Sequence, residues 1–131
     1  TKPDYLFVPP TQTKEKAYAQ MIDAAEKQGT QIVSAAQNMT FTLGRARVTF
    51  IGPARTQHTD SRDDGLTLRI DYGQTSVVVT GCITSNGEKE IVSSGAAAAC
   101  DALIVSRGGT EAATFDCRNT ARRSMRRRKT A

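Results

Sequence analysis

Cys82 is the reactive side chain that its surroundings place most clearly. It closes the segment Asp63–Cys82, DDGLTLRIDYGQTSVVVTGC. Gly81 breaks the apolar run before it, so the thiol is presented at a strand end, where layered α/β folds build their sites. A thiolate there is a good zinc ligand. One ligand does not hold a catalytic zinc, which takes about three protein ligands and a water. The plain alternative is a half-buried thiol. Cys100 and Cys117 complete an odd set of three at wide spacing, with no CxxC zinc pattern. Three reduced thiols are expected, and one disulfide stays open for an oxidising compartment.

His58, the single histidine, stands two residues before Asp60 in the polar stretch Ala54–Asp64. A His-x-Asp pair on a loop could share a metal ion, but the simpler expectation is a lone solvated histidine. Asp60, Asp63 and Asp64 read the same way, as a solvated acidic turn that would at most hold a hard cation weakly through oxygen. With one histidine and no GxSxG, a serine triad lacks support. No phosphate-cradling or dinucleotide glycine motif is present. Arg107–Gly108–Gly109–Thr110 reads as a glycine-rich turn after a strand. Its functional alternative is a loop that meets phosphate with Arg107 and backbone N–H groups.

The charge is divided along the chain. Net charge is +5, yet Arg118, Arg122, Arg123, Arg126, Arg127, Arg128 and Lys129 fall in the last 14 residues without an acid. The remainder holds 11 basic against 13 acidic residues, so it is nearly neutral. A basic cluster of this kind attracts nucleic acid, acidic lipid or acidic protein. Contact with phosphate would be salt-dependent and indifferent to sequence. No aromatic residue interleaves with these arginines, which disfavours base stacking. A disordered, solvated tail is the competing expectation.

The elements that must carry these groups are legible in outline. The length of 131 residues fits one small domain. With no Trp and 5% aromatic residues, a core would be built mainly from Val, Ile, Leu and Ala. No apolar run approaches the ~18 residues of a membrane span, and no signal peptide is visible. Tyr5–Val8 predicts a buried strand stopped by Pro9 and Pro10. Residues 14–28 predict a helix with Tyr18, Met21, Ile22 and Ala25 on one face, capped from Thr11–Thr13 and ended by Gly29. Gln31–Ser34 is a short strand. Met39–Leu43 and Arg45–Ile51 form a hairpin around Gly44–Arg45. Leu66, Leu68, Ile70 and Tyr72 alternate with polar residues, and Gly73–Gln74 turns the chain into Val77–Val79, a run expected to be covered on both faces. Ser85–Ser94 predicts a short helix that Ala96–Ala99 could extend, and Asp101–Val105 another buried strand. The order β-α-β-β-β-ββ-α-β favours a layered α/β arrangement over an all-β barrel.

The hairpin also carries a family resemblance. GLTLRIDYGQTSVVVTGC resembles the pattern N-S-L-V-L-R-L-x-Y-G-x-T-S-F-L-L-T-G-D of the metallo-β-lactamase fold, most of all the branch in ComEC-type DNA-uptake (competence) proteins. Val48–Pro53 (VTFIGP) resembles a strand of that fold, and Asp101–Thr110 (DALIVSRGGT) its "aDvLkvgHHGs" segment. The likeness covers roughly residues 3–110, the C-terminal half of such a domain. It implies residues 1–117 as a partial αββα sandwich, one mixed sheet flanked by helices, with 118–131 as a basic tail. It also implies a missing N-terminal half that would hold the HxHxDH cluster, and so a fragment or a homodimer. The start at Thr1 agrees with a fragment.

The resemblance implies a parent that cleaves phosphodiester bonds in DNA at a two-metal zinc or manganese centre, on the extracytoplasmic side of a bacterial membrane. In this chain Cys82 stands at the family's metal-bridging Asp. One subclass of metallo-β-lactamases places a cysteine there. Arg107–Gly108 stands where the family has His-His, and arginine stays protonated and cannot ligate. The expectation is a degenerate scaffold without hydrolytic activity or a metal of its own. The alternative is a non-catalytic DNA-binding module using Arg107 and the basic tail.

Overall fold

The computed structural model describes residues 1–11, 13–95 and 99–105. Its elements are β1 (Tyr5–Val8), α1 (Lys16–Lys27), β2 (Gln31–Ser34), β3 (Thr40–Leu43), β4 (Ala46–Gly52), β5 (Thr67–Tyr72), β6 (Thr75–Val79), α2 (Ser85–Ser93) and β7 (Ala102–Ile104). A single 3-10 turn at Ser61–Asp64 lies between β4 and β5. This is the mixed α/β order that the sequence predicts. The segments at 107, 117 and 118–131, and the proposed helix extension over residues 96–98, lie outside the described residues.

One expectation about layering is corrected. The strands make two sheets, not one. β3-β4-β5-β6-β7 form a five-stranded sheet, and β1-β2 form a separate parallel pair. Within the larger sheet all neighbours are antiparallel except β6 and β7. The mixed character follows from the connections. Two-residue turns at Gly44–Arg45 and Gly73–Gln74 force antiparallel neighbours, whereas α2 provides the longer crossover that a parallel pair requires. α1 does the same for β1 and β2.

Register assigns the residues to faces, because side chains alternate along each strand. Phe41, Val48, Ile70 and Val77 are cross-strand partners in turn, and Phe50, Leu68 and Val79 form the next row. One face of the sheet is therefore apolar except at the β5-β6 turn, where Thr75 pairs with Tyr72. β1 covers part of it: the Phe7 ring lies 4.6 Å from that of Phe41 and 5.2 Å from that of Phe50. Leu68, Ile70, Val77 and Val79 on the same face are half-buried.

The opposite face carries α2. Ile51, Val78, Ile83, Ile91 and Cys100 make its buried cluster, with Leu103 packed against it. Phe50 and Ile51 bury on opposite sides by strand alternation, and the bulge between Phe50 and Gly52 leaves Ile51 as the extra residue without a partner on β5. Further along, this face turns polar, where Arg69 forks onto Asp71 at 2.8–3.0 Å.

Two burial expectations need refinement. The valine run is covered unequally: Val78 is fully buried, while Val77 and Val79 are not. The sequence predicts a buried β7, but the strand lies at the sheet edge, with Ile104 57% exposed. α1 starts at Lys16, later than expected, and its N-cap Glu15 makes no side-chain cap. The hydroxyl of Thr13 accepts from the Glu15 N–H instead. Tyr18, Ile22 and Ala25 rest half-buried and no residue of α1 is fully buried.

Candidate functional site

The loop from residue 54 to 64 and the first turns of α2 build the most elaborate polar site among the described residues. The loop begins where Gly52–Pro53 ends β4. It closes in the 3-10 turn capped by Asp60, whose carboxylate accepts from the Arg62 N–H at 3.0 Å. That turn aims Asp63 at the start of α2. Asp63 accepts from the Thr84 N–H at 2.6 Å and from the Thr84 hydroxyl at 2.7 Å. Thr84 is itself the N-cap, accepting from the Asn86 N–H at 3.2 Å. A carboxylate at a helix N-terminus is favoured by the exposed N–H groups and the helix dipole. Its approach depends on Gly87: a Cβ there would sit 2.5 Å from Asp63 Oδ1. Asp63 thus occupies the anion-binding end of α2.

His58 forms the second half of the site. Its ring is nearly sealed, with 4% of the side chain exposed. Nδ1 lies 2.8 Å from Asp64 Oδ1, and Nε2 lies 2.8 Å from Glu90 Oε2. The backbone N–H of His58 donates to the same Asp64 oxygen at 3.0 Å. Glu90 also takes a bidentate fork from Arg55. Two parts of the chain that are 32 residues apart are therefore joined through one imidazole.

The electrostatics follow from this packing. Burial by itself would push the His58 pKa down, but the hydrogen bonds and charges of Asp64 and Glu90 outweigh it and hold the imidazole above its ordinary value. Burial likewise disfavours the Glu90 carboxylate, and the hydrogen bonds from His58 and Arg55 reverse that, leaving Glu90 below its ordinary value. Each partner stabilises the charged form of the other.

Around these groups lies a cleft of about 480 Å³, lined among others by Arg55, Thr59, Asp60, Ser61, Asn86 and Glu90. The charged groups in and beside it are engaged: Arg55 with Glu90, His58 with Asp64 and Glu90, Arg62 with Asp60, and Asp63 with Thr84. This arrangement clamps the loop to the helix. A general base would have to leave a partner before it could take a proton from a substrate.

The residues singled out from sequence have different placements. Cys82 stands on the turn after β6, exposed, where Gly81 takes φ +64°. This matches the presentation at a strand end. Among the described residues no group of three or more His, Cys, Asp or Glu side chains gathers as a metal site. Cys82 is not part of such a group among the described residues. Cys100 is buried, and burial pushes its thiol pKa up, against a hydrogen bond from Val78 and the charge of Arg69. Arg107, Arg122, Arg123, Arg126, Arg127, Arg128 and Lys129 lie outside the described residues.

Two expectations are overturned here. His58 is a buried, doubly hydrogen-bonded ring, not a solvated one. Asp63 and Asp64 are buried, at 5% and 9% exposure, and only Asp60 keeps the character of a surface turn. Sequence reasoning missed Glu90 altogether. On α2 it reads as an ordinary polar position, and only the fold brings it to His58.

No described helix is long and apolar enough to cross a membrane. In comparison with known proteins, the chain matches no family model, no curated protein and no solved structure.

Proposed function

We propose that the chain is a degenerate, catalytically inactive half of a metallo-β-lactamase-like domain, related to DNA-uptake hydrolases of the phosphodiesterase type. The observation that supports this most is the inequality of the sheet's two faces. One face carries α2 and a buried cluster. The other is apolar apart from Thr75 at the turn, and Leu68, Ile70, Val77 and Val79 are left half-buried on it. A single layer of an αββα sandwich would present such a face to its missing companion sheet. The hairpin that ends in Gly81–Cys82 adds the sequence likeness described above. A catalytic metal needs about three protein ligands, and none of the chemistry proposed here passes through one.

The test is an assay of the chain on single- and double-stranded DNA with zinc or manganese. The expected result is no metal-dependent cleavage above that of a Cys82→Ala variant. Turnover that needs the metal and is lost in Cys82→Ala overturns the reading. Sedimentation addresses the open face: association through it, with a second copy or an added N-terminal half, is expected to rise with concentration.

A second reading rests on the charge of residues 118–131. In it, the chain is a non-catalytic nucleic-acid-binding module. Affinity for DNA then falls steeply with salt, and deletion of 118–131 abolishes it. Equal affinity after the deletion removes this reading.

A further inference from the structure

The pairing around His58 makes a demand on its protonation. Both ring nitrogens lie 2.8 Å from a carboxylate oxygen. A carboxylate only accepts, so both nitrogens must donate, and only the imidazolium has two N–H groups. A neutral ring satisfies one partner and turns a lone pair toward the other. We propose that His58 is a proton-operated latch: its doubly protonated ring clasps the loop 54–64 to α2, and loss of one proton to solvent releases that clasp.

The geometry also says which arm opens. Nδ1 and the backbone N–H of His58 share Asp64 Oδ1, so that arm is internal to the loop and remains closed. Asp64 is the more sheltered partner, at 12% side-chain exposure against 29% for Glu90. Glu90 also has a second cation in Arg55. The Nε2–Glu90 contact, the one that crosses to α2, is therefore the arm that yields. Glu90 then follows Arg55, whose side chain is 63% exposed, toward solvent, and the mouth of the cleft widens.

The groups facing the imidazole from each element favour the clasped form. From the loop come Asp64, with Asp63 turned to Thr84 and Asp60 turned to Arg62. Arg55 opposes, but it is spent on Glu90. From α2 comes Glu90, while Glu88, two residues away, points to another side of the helix. The direction of the His58 shift, upward despite burial, agrees with this balance.

The chain has one histidine, so its imidazole can be followed without ambiguity. The experiment records the two ring nitrogens by NMR, together with amide exchange over residues 55–64, corrected for base catalysis, across the range of histidine titration. The expected result is a midpoint above the ordinary 6.5, with both nitrogens protonated below it. Protection of the loop amides should fall roughly ten-fold through the same midpoint, the effect of losing one charge-assisted hydrogen bond. In Glu90→Gln the midpoint moves down and the step in protection vanishes. In Arg55→Gln, which leaves both imidazole partners, the step persists and grows. A wild-type midpoint at or below 6.5, flat loop protection across it, or a step unchanged in Glu90→Gln overturns the proposal. Loss of the step in Arg55→Gln does the same, and keeps the test decisive if Glu90→Gln fails to fold.

Discussion

The two helices pack on different elements, α1 against β2 and α2 against the five-stranded sheet, and are held in opposite ways. α2 has nine residues and buries Gly87, Glu88 and Ile91; α1 has twelve and buries none. α2 is fixed by a carboxylate in its N-terminus, an imidazole between two acids and an isoleucine in the apolar cluster. α1 rests on half-buried apolar side chains, and its surface ion pair, Lys27 with Asp23, is internal to the helix. Length and amphipathicity do not decide how firmly a helix is held. Desolvated, directional contacts do, because each leaves a buried group unsatisfied when it is lost. The α2 side should therefore open late and the α1 side early.

The largest effect should come from truncating the side chain at the centre of the α2 cluster. Ile91→Ala, at 2% exposure, is expected to destabilise by about 2–5 kcal/mol, read from the urea midpoint. Ile22→Ala on α1 should cost clearly less. Equal costs would erase the distinction between the helices.

A sharper test uses the close approach at the start of α2. In Gly87→Ala the new methyl would sit 2.5 Å from Asp63 Oδ1, and the overpacking should cost about 1–3 kcal/mol. Asp63→Ala should cost a similar amount, about 1–3 kcal/mol, by leaving the Thr84 N–H unpaired. The double variant should cost less than the sum, because the methyl fills space that the carboxylate has vacated. Strict additivity would place the strain elsewhere.

A smaller effect should appear in pH dependence. His58 is held above its ordinary 6.5, so the folded state binds that proton more tightly than the unfolded chain does. Its contribution is complete below 6.5 and is lost as pH rises through the folded-state value. Glu90 is held below its ordinary 4.5, so its contribution is complete above 4.5 and is lost as pH falls through the folded-state value. Both act together between 4.5 and 6.5. The stability difference between wild type and Glu90→Gln should peak there in thermal melts and shrink on either side. A difference that grows toward alkaline pH would contradict the assignment of charges.

The smallest effect belongs to α1. Asp23→Ala removes an i,i+4 pair whose side chains are 74% and 62% exposed. It should cost about 0.3–0.5 kcal/mol at low salt and nothing measurable at high salt. A salt-insensitive loss above this would mean that α1 is held more firmly than its burial indicates.

Much of this fold was legible in the chain because its signals are local. Alternation in 66–72, the valine run, and turns at Gly44–Arg45 and Gly73–Gln74 located the strands to within a residue or two. Gly29 marked the end of α1. The division into two sheets was not legible, since strand pairing depends on which apolar faces meet. Phe7 reaches Phe41 and Phe50 only after the chain has crossed through α1. The site was the less legible half. The position of Cys82 after a turn could be inferred from Gly81, but what surrounds it could not. Spacing pairs His58 with Asp60, whereas its partners in the fold are Asp64 and Glu90.

The order of the strands and helices, the turns and the divided charge were determined by the sequence alone, because backbone preference and side-chain periodicity act over a few residues. Which acids are buried, and which of them face the imidazole, was decided only by the tertiary structure. A carboxylate in a loop is a solvated charge until a helix from a distant segment closes over it. Its energy then depends on neighbours that the local sequence does not specify.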